Sequence, residues 1–246
     1  MPDFSFYPPV IAHRGVSAHA PENTMAAMQL VPQSGAKWVE FDVHITQDGV
    51  PVLLHDDTLD RTTDGKGKIA DFDWVGIEAL DAGSWFDARF KNEPAPRLGE
   101  VLRFALEAGL RPLIEIKPCP GRAQATTMVA LMEAAKIWPV NQPPPFILSF
   151  DVDAVAIAAQ FQPHWPRGFS FSRWREDWRL FAARAQADVL VVDADFLNRA
   201  RVSVMAQAGL PLLAYTVNNP TQAKELLDWG VSAVFSDNPK AIIEAL

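Results

Sequence analysis

Eight short apolar runs recur along the chain, each followed by a longer amphipathic stretch, and this alternation narrows the choice of fold more than any other property. The strand-like runs fall at 10–13, 38–44, 112–117, 146–150, 168–171, 189–193, 211–217 and 233–236. Helix-like stretches occupy 23–33, 100–108, 124–138, 152–161, 177–187, 199–208, 221–229 and 240–245. Strands that alternate with helices pair in parallel through right-handed crossovers. Eight such units in 246 residues is the arithmetic of an α/β (β/α)8 TIM barrel. A doubly wound open sheet competes, but no GxGxxG follows the first run, where a dinucleotide-binding fold carries it. The length admits two small domains, yet no composition shift or Ser/Gly-rich linker divides the chain. One domain over 1–246 is expected.

The stretch from about 56 to 96 breaks the rhythm. It carries turn signals at Thr63-Asp64-Gly65 and Lys66-Gly67, and the aromatics Phe72, Trp74, Trp85, Phe86 and Phe90. It is too long for a simple connection and reads as a small insertion between the second strand and the second helix, packed over one rim of the barrel.

Barrel active sites lie where strands end and the following loops begin, so polar residues at strand ends matter most. The first run ends in His13-Arg14-Gly15. The second holds Glu40, Asp42 and His44 on one face, because side chains two apart point the same way. The third holds Glu115 and Lys117 in phase, with Ile114 and Ile116 pointing outward. Ser149, Asp193, Thr216, Asn218 and Asp237 stand at later strand ends.

Charged groups inside a barrel are costly unless paired or bound to a metal. Glu40, Asp42 and Glu115 form a hard-oxygen set suited to one Mg²⁺ or Ca²⁺. The same acids also fit a salt-bridged layer neutralised by Arg14 and Lys117. His44 shares their face but stays outside the ligand set. His13 and His55 each end an apolar run and suit a general acid and base, or else fix loops by bonding carbonyls. With a metal on the acids, Arg14 and Lys117 are free to grip a phosphate; without one they are counter-ions. His19 and His164 read as surface residues, and Trp138 and Trp229 as packing. Trp85-Phe86 could wall a pocket.

The formal charge of −8 argues against a nucleic-acid binder. No run approaches the roughly 18 apolar residues of a membrane span. The start MPDFSFYPPVIAHRG has neither a basic beginning nor a continuous apolar core, so no signal peptide is expected. Cys119 is the only cysteine, which excludes an internal disulfide and fits a cytoplasmic protein.

An ordered motif set runs through the chain. It comprises His13-Arg14-Gly15, Pro21-Glu22-Asn23-Thr24, Glu40-Phe41-Asp42-Val43 and His55-Asp56-Asp57 with Leu59, Arg61-Thr62-Thr63 and Gly65. Leu80-Asp81-Ala82-Gly83-Ser84-Trp85, Glu115-Ile116-Lys117, Ser149-Phe150, Tyr215-Thr216-Val217-Asn218 and Ser236-Asp237-Asn238-Pro239 continue it. The set resembles the glycerophosphodiester phosphodiesterase family, and the compact length with the 174–178 segment looks most like its bacterial cytoplasmic form.

The resemblance implies a (β/α)8 barrel with a small insertion and a divalent cation, Mg²⁺ or Ca²⁺, on Glu40, Asp42 and Glu115. It implies catalytic histidines at His13 and His55, with Arg14, Lys117 and Phe150 on the substrate. The implied reaction is metal-dependent hydrolysis of glycerophosphodiesters to sn-glycerol 3-phosphate and a small alcohol such as choline, ethanolamine or glycerol. The nucleophile is either the neighbouring glycerol hydroxyl, through a cyclic phosphate, or water. Two alternatives are a phosphodiesterase or phospholipase for another lipid-derived diester, and a non-catalytic glycerophosphodiester binder. The expected partner is the small-molecule substrate, with no nucleic acid and no membrane insertion; monomer and dimer are both open.

Overall fold

Eight parallel strands close on themselves in the computed structural model, which describes residues 6–246. The first five residues, part of the N-terminal stretch read above for a targeting signal, lie outside it. The strands are β1 (Val10–His13), β2 (Trp38–Ile45), β3 (Pro51–Leu53), β4 (Arg111–Ile116), β5 (Phe146–Ser149), β6 (Arg167–Phe171), β7 (Val189–Asp193), β8 (Leu212–Tyr215) and β9 (Ala233–Ser236). Their order is β1-β9-β8-β7-β6-β5-β4-β2, and a β1–β2 pairing completes the ring. β3 is an extra antiparallel strand on β2. The chain therefore forms the (β/α)8 barrel that the alternation implies.

The helices are α1 (Met25–Gln29), α2 (Val31–Ser34), α3 (Trp74–Glu78), α4 (Leu98–Glu107), α5 (Ala123–Ile137), α6 (Val152–Phe161), α7 (Trp178–Ala185), α8 (Arg199–Ala206), α9 (Pro220–Trp229) and α10 (Pro239–Ile243). The single helix expected over 23–33 is two short ones. Pro32 lacks the N–H an interior position needs and sits instead in the first turn of α2. Asp151, Asn198, Asn219 and Asn238 cap α6, α8, α9 and α10 by accepting first-turn N–H groups.

Period-2 alternation sorts the strand residues into two layers. Val39, Phe41, Val43, Ile114 and Ile116 face outward into a cluster shared with α4, α5 and α6. A matching cluster around Val192, Trp178 and Leu226 covers the opposite half. Burying each such side chain is worth about 1.5–3 kcal/mol, so these two layers hold the helices to the barrel. Inside, Ile11, Trp38, Leu113, Phe146 and Leu213 fill the lumen. Two residues further along the same strands the lumen turns polar, with His13, Glu40 and Glu115.

Between β3 and α4 the chain forms an irregular segment with its own small core of Leu54, Leu59, Ile69, Ile77, Ala82 and Ala95. Arg97 stacks its guanidinium over Trp74 at 4.4 Å. A Cβ at Gly83 would lie 1.9 Å from the Phe90 carbonyl oxygen, so only glycine fits there. The segment begins beside His55 and delivers it to the barrel mouth.

Candidate active site

Glu40 and Asp42 on β2 and Glu115 on β4 point into the lumen mouth, as their spacing predicts. The register sets Asp42 beside Glu115 and His13 beside Glu40. One carboxylate oxygen from each acid lies within 4.8 Å of the others, and all three side chains are buried. Asn23 clamps Asp42: its Nδ2 donates to Oδ2 at 2.8 Å, and its Oδ1 accepts the Asp42 backbone N–H at 3.1 Å. The Arg14 backbone N–H donates to Glu40 Oε2 at 3.1 Å. That approach depends on Gly15, whose φ is +84° and where a Cβ would meet the Ala27 backbone at 2.7 Å.

The acid group is short of positive charge. Burial, then the charges of Asp42 and Glu115, pushes the Glu40 carboxyl well above its usual range. Burial likewise pushes Glu115 up to about 7, although Lys117 opposes it. Asp42 is the exception: burial would raise it, but Arg14, Lys117 and His55 hold it down to about 2. Glu40 Oε1 and Glu115 Oε1 are buried without a hydrogen-bond donor. Lys117 Nζ lies 3.2 Å from Glu115 Oε1 and 3.9 Å from Asp42 Oδ1, as ion pairs rather than aligned hydrogen bonds. Converging hard oxygens with unused lone pairs are the donor set a divalent cation fits.

Both histidines are backed by carboxylates. His13 Nδ1 donates to Asp237 Oδ1 at 2.7 Å, and Ser17 Oγ and Asn218 Nδ2 hold the same carboxylate. Burial would raise Asp237, but its bonds to His13, Asn218 and Ser17 hold it down to about 2. His55 Nδ1 donates to Asp56 Oδ1 at 2.7 Å, and Lys117 Nζ donates to His55 Nε2 at 3.2 Å. Burial, aided by Lys117 and Arg14 against Asp42 and Asp56, lowers the His55 pKa below its ordinary value. With each Nδ1 occupied, Nε2 is the ring atom left to exchange protons.

An ion-pair chain links the two sides. Arg14 bridges Asp42 (3.2 Å) and Glu22 (2.8 Å), Arg61 bridges Glu22 and Asp56 (both 2.8 Å), and Asp56 holds His55. Glu22, Asn23, Asp56 and Arg61 stand in the sequence only as motif members, since Glu22 meets Arg61 and Asn23 meets Asp42 only once the chain has folded. His13, Arg14, Glu40, His55, Glu115 and Phe150 line one narrow cavity of about 60 Å³. Lys117 meets it through His55 and Glu115, and its Nζ sits 5.4 Å from the Phe150 ring centroid.

His44 does not join the acids. Its Nε2 donates to the His55 carbonyl at 3.2 Å, and its Nδ1 faces Cys119 Sγ at 3.7 Å. Burial lowers its pKa to about 4, so it stays neutral and anchors the His55 backbone. His19 and His164 are exposed, as expected. Trp85 and Phe86 pack edge to face on each other at 5.7 Å and line none of the cavities beside the histidines. Trp85 instead donates Nε1 to the Ala82 carbonyl within the insertion.

The profile of the glycerophosphoryl diester phosphodiesterase family matches residues 13–241. The chain belongs to that family. Among family relatives, the glycerophosphodiester phosphodiesterase of Caldanaerobacter subterraneus subsp. tengcongensis is 32% identical, over 95% of this chain and 96% of its own. A glycerophosphodiester phosphodiesterase of Bacillus subtilis is also 32% identical, over 93% of this chain and 83% of its own. Among solved structures, an Oleispira antarctica phosphodiesterase in complex with the product sn-glycerol-3-phosphate superposes with a TM-score of 0.93 at 37% identity. That superposition covers 97% of this chain and 96% of the other. Family membership accounts for the motif order, which follows the rim of the barrel.

Proposed function

We propose that this family member hydrolyses glycerophosphodiesters to sn-glycerol 3-phosphate and an alcohol, with a divalent cation on Glu40, Asp42 and Glu115 and with His13 and His55 as general acid and base. One observation carries the reading: two carboxylate-backed histidines share a narrow cavity with Glu40 and Glu115, buried acids that each retain an unused oxygen and converge with Asp42. The Oleispira relative's product complex supports the substrate class.

Glu40, Asp42 and Glu115 would hold Mg²⁺ or Ca²⁺, which when bound withdraws charge from a phosphoryl oxygen and acidifies a hydroxyl. Arg14 and Lys117 neutralise charge that builds on the remaining phosphoryl oxygens. Nε2 of one histidine takes the proton of the attacking hydroxyl, and Nε2 of the other protonates the departing alkoxide. Asp237 and Asp56 fix each ring by its Nδ1–H, so both Nε2 atoms face the cavity. The Lys117 contact to His55 must loosen as its ammonium turns to the phosphate. Phe150 closes the cavity on its apolar side.

No helix among the described residues is long and apolar enough to cross a membrane. The test is release of sn-glycerol 3-phosphate from glycerophosphocholine by wild type, His13→Ala and His55→Ala. Each variant should lose at least about a hundredfold in turnover while remaining folded. Near-normal turnover in either variant contradicts the acid–base roles.

A further inference from the structure

Two larger cavities adjoin the narrow one, one sharing His13 and Arg14 with it and the other sharing His55 and Phe150. One, of about 440 Å³, adjoins His13 and is bounded by Glu22, Asn218 and Asp237. The other, of about 480 Å³, adjoins His55 and Lys117 and is bounded by Asp57, Phe150 and Asp151. A phosphodiester seated between the histidines extends one arm into each.

The two cavities differ in unspent charge. On the His13 side the acids are committed: Glu22 pairs with Arg14 and Arg61, and Asp237 with His13, Ser17 and Asn218. That wall suits an uncharged polyol. On the His55 side, neither Asp57 nor Asp151 pairs with a cationic side chain among the described residues. Asp151 uses Oδ1 to cap α6. The cation in this cavity, Lys117, is already engaged by Glu115 and Asp42. Phe150, 38% exposed, lines both this cavity and the narrow one.

Resting on the phosphodiesterase reading above, we infer that the His55-side cavity receives the leaving alcohol, and that Asp57, Asp151 and Phe150 favour an alcohol bearing an ammonium group. Carboxylates that lack a protein partner attract a ligand cation without first breaking an ion pair. An aromatic face beside them stabilises an alkylated ammonium, which cannot donate many hydrogen bonds. The cavity's width leaves the size of the alcohol loosely restrained, so selection acts through charge.

The experiment compares kcat/KM for glycerophosphocholine with that for glycerophosphoglycerol, whose leaving alcohol is neutral. It uses wild type, Asp57→Asn, Asp151→Asn and the double variant, with divalent cation supplied. Asparagine keeps the shape and, at position 151, the helix cap. The choline-to-glycerol ratio should fall about tenfold in the double variant, the scale of two partly exposed charge contacts, mainly through KM for the choline diester. Added salt should shrink the wild-type ratio and barely move that of the double variant. A ratio that stays constant in the double variant overturns the inference, even if both activities decline together. Wild type that cleaves neither diester overturns the phosphodiesterase reading and this inference with it.

Discussion

His13 Nδ1 lies 2.7 Å from Asp237 Oδ1, although 224 residues separate the two in sequence. Closure of the barrel between β1 and β9 brings them together. The carboxylate fixes which ring nitrogen carries the resting proton and aims Nε2 at the cavity.

Replacing Asp237 with Asn removes that charge while keeping the shape. An amide can present its oxygen or its NH₂ to the ring, so the tautomer is no longer imposed. Turnover of glycerophosphocholine should drop at least about tenfold, part of the full worth of a general acid or base. The thermal midpoint at pH 7 should move little, because the side chain is partly exposed. Unchanged turnover would show that His13 needs no orienting partner.

The fold and the chemistry differed in how far the sequence exposed them. The barrel was legible because strand and helix periods alternate eight times, and Glu40, Asp42 and Glu115 because a period of two puts them on the lumen face. The ion-pair chain was not, since Arg61 meets Glu22 across 39 residues and His13 meets Asp237 across 224. Such contacts depend on closure, which no local pattern records. His44 shared the face of the acids, yet the β2–β3 hairpin brings the His55 carbonyl to its ring and removes it from the ligand set. Pro32 did signal the break between α1 and α2, and the apolar continuity of 23–33 masked it.

Metal-free protein should lose stability as pH rises from about 6.5 to above 7, beyond the range in which the lowered His44 and His55 add the opposite slope. Glu115 titrates near 7 when folded against 4.5 as its ordinary value, and Glu40 shifts the same way. The folded state therefore binds more protons than the unfolded chain in that window, and stability declines as they leave. The contribution is fully present below the ordinary carboxylate value and gone above the folded one. Added Mg²⁺ or Ca²⁺ should flatten or reverse the slope, because cation binding requires the ionised carboxylates. Thermal melts at several pH values, with and without the cation, measure this. A metal-free midpoint that rises steadily through pH 7 would contradict the raised carboxyls.

Asn23 makes two hydrogen bonds to Asp42, so Asn23→Ala strips a buried carboxylate of its neutral partner. Stability should fall by about 1–3 kcal/mol, the usual cost of an unsatisfied buried group. Divalent-cation affinity should weaken by about tenfold, as expected when a ligand loses its orienting neighbour. Calorimetric titration with Mg²⁺ and Ca²⁺ reads the second effect separately from the first. Unaltered affinity would mean that Arg14 and Lys117 orient Asp42 without Asn23.

On the proposed function, three barrel carboxylates hold the cation with which two histidines cleave a glycerophosphodiester. The most direct measurement is release of sn-glycerol 3-phosphate from glycerophosphocholine before EDTA, after EDTA, and after restoring Mg²⁺ or Ca²⁺, in wild type and in Glu115→Gln. Wild type should lose activity with the chelator and recover it with a cation, while the variant should stay low throughout. Full activity in EDTA, or a Glu115→Gln enzyme as active as wild type, would contradict the account.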